Sequence, residues 1–214
     1  MSNFPRPDSN CSCLGFVSGL GCGIKNTKRI FLTVALAMAM GPWAMAGDLT
    51  AFQLIKEGNH YVTDQSKDKV VQIRSEKSVG GLTPNIWYVV YYDPDAALKA
   101  VEVKFGAGQK LKVSRPWRLL EPVTGEDRVL DSSKLQVDSN RALEIAGSQP
   151  QVKNLTLRSS QLWLLHGDTG PVWKVKLWAA KLRHPNEDAD IGVVILSVAD
   201  GSIVKTDLHP DHVD

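Results

Sequence analysis

Apolar and polar positions alternate most clearly between Pro171 and Pro210. Val172-Trp-Lys-Val-Lys-Leu177 changes side with each residue, as a half-buried strand does. A polar turn, Leu182 to Asp190, separates this run from the β-branched stretch Ile191-Gly-Val-Val-Ile-Leu196. Asp200-Gly201 then turns the chain into a last short run. The pattern predicts a three-stranded antiparallel meander. Period two puts Trp173, Val175 and Leu177 on one face and Trp178 on the other.

Two periods read the rest of the chain. Thr50 with Gln53 three residues on has the form of a capping box. Ala51, Leu54, Ile55 and Gly58 share one helical face, so a helix is expected over Thr50–Gly58. Val70 to Glu76 alternates, and Ile86 to Asp93 (IWYVVYYD) is aromatic and β-branched; both read as strands. Ala100 to Phe105 and Lys110 to Ser114 form a hairpin around Gly106-Ala-Gly108. Residues 116–137, with Pro116, Pro122 and Gly125 among many charges, read as a connector. A second helix is expected over Ser139–Ser148, capped by Asp138 or Ser139 and stopped by Pro150. Val152 to Leu165 is a further strand.

The two halves share words. Ala51-Phe-Gln-Leu-Ile55 parallels Ala142-Leu-Glu-Ile-Ala146, and Trp87-Tyr-Val89 parallels Trp173-Lys-Val175. Such an internal repeat predicts an α+β fold of two tandem units, each one helix laid on a curved antiparallel sheet. The boundaries are 47–115 and 138–214. The indoles of Trp87, Trp163, Trp173 and Trp178 are expected inside these layers.

Composition then supplies an address. The chain has 214 residues and a formal charge of +2. Arg6, Lys25, Lys28 and Arg29 stand against Asp8 alone in the first 46 residues, so the remainder is near neutral. That removes the charge argument for nucleic acid as a partner. Lys25, Lys28 and Arg29 precede the apolar run Ile30–Met40, then Pro42, then Ala44-Met-Ala46. This is the order of a secretory signal peptide, cut between Ala46 and Gly47. The run is shorter than the ~20 residues that span a bilayer, so no membrane anchor is expected after cleavage. Residues 1–24 read as an N-terminal extension. Cys11, Cys13 and Cys22 all lie in the segment removed, leaving no disulfide and no thiolate. A periplasmic or secreted location follows as the expectation.

Candidate chemistry is sparse. No G-x-S-x-G, H-E-x-x-H, P-loop or dinucleotide fingerprint occurs. His60, His166 and His184 are scattered. His209-Pro-Asp-His212 gathers two imidazoles and a carboxylate, as a surface metal site does. It sits at the end of the chain, where fraying is expected, and Pro210 blocks α-helical ligand spacing. No metal, cofactor or catalytic residue is therefore expected. Glu187, Asp188 and Asp190 read as a solvated loop. Tyr88, Tyr91 and Tyr92 beside Trp87 read as a packed or half-exposed sheet face.

The C-terminal words carry a family likeness. Ala142-Leu-Glu-Ile-Ala146, Pro150, Pro171-Val-Trp-Lys-Val175 and Ala199-Asp-Gly-Ser-Ile203 resemble a PepSY domain. Ser197 and Asp200 depart from the usual last hairpin, and Leu182–Asp190 lengthens one connection. The resemblance implies a PepSY/cystatin-like helix-on-sheet unit outside the cytoplasm, non-catalytic, binding or inhibiting a protein partner such as a peptidase. It brings no catalytic residues with it. The resulting expectation is a non-enzymatic exported protein that binds a partner. The alternative is a small-ligand carrier with an apolar pocket between helix and sheet.

Overall fold

The computed structural model describes residues 49–115 and 126–214. The signal peptide, its Ala46/Gly47 cut, the three cysteines and residues 116–125 of the connector lie outside the described residues.

Among the described residues two short α-helices and eight strands follow one another: α1 (Ala51–Gly58), β1 (Val70–Ser75), β2 (Ile86–Tyr92), β3 (Ala100–Gly106), β4 (Gln109–Ser114), α2 (Ser139–Gly147), β5 (Leu157–His166), β6 (Pro171–Ala180), β7 (Asp188–Ser197) and β8 (Ile203–Leu208). Local chemistry accounts for their ends. Thr50 Oγ1 accepts from the Gln53 amide while the Gln53 side chain accepts from the Thr50 amide, closing the expected capping box. Asp138 caps α2. Ala107 and Gly108 both take positive φ between β3 and β4, as a two-residue hairpin turn with the right twist requires. The predicted meander from Pro171 onward is present as β6, β7 and β8.

The expected division into two tandem helix-plus-sheet units is not found. All eight strands form one antiparallel sheet, in the order β4-β3-β2-β1-β5-β6-β7-β8. The fold is mostly β, and the two meanders meet edge to edge where β1 pairs with β5.

Three physical features join what the repeat would keep apart. The β1–β5 ladder is short, pairing Ile73 with Leu164 and Arg74 with Trp163. Buried serines extend it. Ser75 Oγ accepts from the Leu162 amide at 2.9 Å, and Ser78 Oγ accepts from the Ser160 amide at 2.8 Å. Ser160 in turn gives its carbonyl to the Ser78 amide and its hydroxyl to the Leu82 carbonyl. Serine hydroxyls here satisfy buried amides that a longer ladder would have satisfied.

The helices are shared as well. α1 donates its Ala51 amide to Ser139 Oγ and its Phe52 amide to Asp138 Oδ1, so the cap of α2 also serves α1. Phe52 of α1 stacks on Trp173 of β6, with ring centroids 6.4 Å apart. The main apolar core runs from Leu54, Ile73, Val89 and Phe105 to Leu162, Trp173, Ile191 and Leu196.

The indoles divide by face. Trp173 is fully buried and donates Nε1 to the Val137 carbonyl; Trp87 is buried and donates to Pro84. Trp163 and Trp178, expected inside, are only half-buried because they point from the opposite side of the sheet. No described helix is long and apolar enough to cross a membrane.

Candidate functional site

The sheet has two unlike faces. Both helices and the main core occupy one. Val71, Val90 and Ala100 on the other gather a small cluster with Tyr92 and Val129. Beyond that cluster, register places one residue from each strand in a single transverse row. The row reads Lys112, Lys104, Tyr88, Arg74, Trp163, Lys174, Ile195, Lys205, from β4 across to β8. At about 4.8 Å per strand it extends roughly 34 Å. Every member is half-buried or exposed.

Three of the five cations in this row lie over aromatic rings. Arg74 stands 4.0 Å and Lys104 4.9 Å from the Tyr88 centroid, and Lys174 stands 5.4 Å from that of Trp163. In the flanking positions Lys77 and Lys176 both approach Trp178. These are cation–π distances, which hold a flexible ammonium near the sheet without neutralising it.

Acids compensate part of the charge. Arg74 pairs with Glu102, Lys104 with Glu76 at 3.0 Å, and Lys176 with Asp190 at 2.6 Å. The Tyr88 hydroxyl donates to Glu76, and Lys104 adds a second bond. Together they hold the Glu76 carboxyl below its usual range. Tyr88 and Glu76 in turn raise Lys104, which stays charged. Lys112, Lys174 and Lys205 form no ion pair with the described residues.

The four aromatics of β2 split by alternation. Trp87 and Tyr91 point to the core, where Tyr91 donates its hydroxyl to the Ile55 carbonyl. Burial raises the Tyr91 phenol well above its ordinary value. Tyr88 and Tyr92 face the cationic side. Between α1 and the sheet, where the carrier reading expects a pocket, Leu54, Tyr91 and Trp173 are fully buried. An open groove of about 750 Å³ lies instead at the outer side of α2, lined by Leu82, Leu143, Glu144 and Leu157 among others.

The histidines are all exposed. His60, His166 and His184 belong to no metal-sized cluster among the described residues. His209 and His212 do, together with Asp211: one ligand atom from each lies within 4.8 Å of the others. The tail is anchored by contacts. Val213 is buried, and its carbonyl accepts from the Leu182 amide at 2.7 Å. Glu187 and Asp188 are engaged in ion pairs with Lys181, Lys77 and Arg158, as solvated loop acids are.

Sequence reasoning missed the cationic row. Alternation marks its residues as outward-facing, but it cannot say that two distant edges meet. No family model, curated protein or solved structure matches the chain. The PepSY likeness therefore rests on the C-terminal words alone.

Proposed function

We propose that this chain is a non-enzymatic exported binding protein whose open sheet face docks an acidic segment of a protein partner. Three lysines without acidic partners among the described residues, spread along one row with aromatic rings between them, carry this reading. Acidic side chains of a partner neutralise such lysines, and the half-buried Trp163 and Tyr88 supply the apolar area that makes contact more than transient. The PepSY-like words favour a secreted peptidase as the first partner to test.

The experiment compares capture from a cell-envelope extract of the source organism by wild type and by Lys112→Glu/Lys174→Glu/Lys205→Glu. A partner held by wild type at low salt, released by about 0.5 M salt and absent from the triple variant is the expected result, because exposed charge pairs are screened. The same proteins captured by both forms, or none by either, contradicts it. The circular dichroism of the triple variant should match wild type, since all three side chains leave the core untouched.

A further inference from the structure

The C-terminal tail holds a cluster that partner docking does not use. Residues Pro210–Val213 form one 3-10 turn with Pro210 at its start. His209 is the N-cap of this turn and His212 sits inside it, and the two rings lie one above the other. Their rings are 5.1 Å apart and within 16° of parallel.

Each imidazole is also held by one nitrogen. His209 Nε2 lies 3.1 Å from Asp207 Oδ1, and His212 Nδ1 lies 2.9 Å from the Asp190 carbonyl. The second nitrogen of each ring has no hydrogen-bond partner among the described residues. In metal sites a ligating imidazole donates its other N–H to a carboxylate or a backbone carbonyl. That bond fixes the tautomer and leaves the remaining lone pair for the ion. Here one ring has each kind of partner. The turn is pinned to the sheet, too: the His209 amide donates to the Ile191 carbonyl at 2.8 Å, beside the Val213 anchor.

We propose that His209, Asp211 and His212 bind one divalent transition-metal ion of the zinc type, with Asp207 and the Asp190 carbonyl as positioning groups. Two imidazoles and a carboxylate suit that ion with water as the fourth ligand, and disfavour calcium and magnesium, which prefer all-oxygen sets. The bound ion would fasten the end of β8 to β7, so it should stabilise the fold.

Calorimetric titration with zinc chloride tests the site on the full chain, with Cys11, Cys13 and Cys22 alkylated in every sample. Wild type should bind one ion per chain at pH 7.5 and melt at a higher temperature with zinc than with chelator. His209→Ala/His212→Ala should lose that binding event. Asp207→Asn should weaken it by roughly 10–100-fold. A Co²⁺-substituted sample should show a visible absorption band that the double variant lacks. Zinc bound equally by wild type and the double variant, or no heat and no shift in melting at about 100 μM zinc, overturns the proposal.

Discussion

At Trp173 burial, hydrogen bonding and stacking coincide. The side chain is fully buried, donates to the Val137 carbonyl at 2.7 Å and stacks on Phe52. Trp173→Ala removes all three, at a cost of about 3–5 kcal/mol. For a chain of this size that lowers Tm by roughly 6–20 °C in a thermal melt. A melt within a few degrees of wild type would contradict its place in the core. Glu76 gives a second residue-level test. Tyr88 and Lys104 hold its folded carboxyl below the ordinary value of 4.5. Its contribution is therefore complete above about pH 4.5 and lost as pH falls through the lower folded value. Denaturant midpoints should fall more steeply between pH 5 and pH 3 in wild type than in Glu76→Gln; parallel curves would remove the assigned bond. Trp173 was legible from period two alone. Glu76 was not, because its partners come from two other strands.

Among the elements, the serine junction between β1 and β5 decides the architecture. Ser78→Ala leaves the buried Ser160 amide without its acceptor, and Ser75→Ala does the same to Leu162. Each should cost about 1–3 kcal/mol, read as a lower denaturant midpoint. A midpoint equal to wild type in both would show that the junction is held some other way. Gly192 offers an independent test at the β7–β8 pairing. Its φ is +112°, and an added Cβ would stand 2.1 Å from the Asp207 carbonyl oxygen. Gly192→Ala must therefore push β8 outward, and amide exchange in β8 should quicken while that in β5 does not. Most strands, both helices, the capping box and the last meander could be read from the sequence, since each rests on neighbours in the chain; the strand expected from Val152 starts only at Leu157, after a 3-10 turn at Pro150–Val152, and β7 starts at Asp188, inside the expected polar turn. The junction could not. Serine adds nothing to a hydrophobic pattern, and pairing of Arg74 with Trp163 depends on residues far apart in sequence. The same silence concealed the cationic row, whose members come from eight strands.

For the molecule as a whole, a main core that spans one continuous sheet implies one unfolding unit. The word repeat between the halves pointed to two units, but Phe52 on Trp173 and the cap shared by both helices tie them together. The continuous sheet is also what makes the row of Lys112, Tyr88, Trp163 and Lys205 a single surface; separate sheets would break it between Arg74 and Trp163. The most direct measurement is a nuclear Overhauser spectrum of the isotope-labelled protein, read across the β1–β5 junction. Backbone contacts from Ile73 to Leu164 and from Arg74 to Trp163 are the predicted result. Strands β1 and β5 each showing contacts only to β2 and β6 would contradict the single sheet and, with it, the docking face.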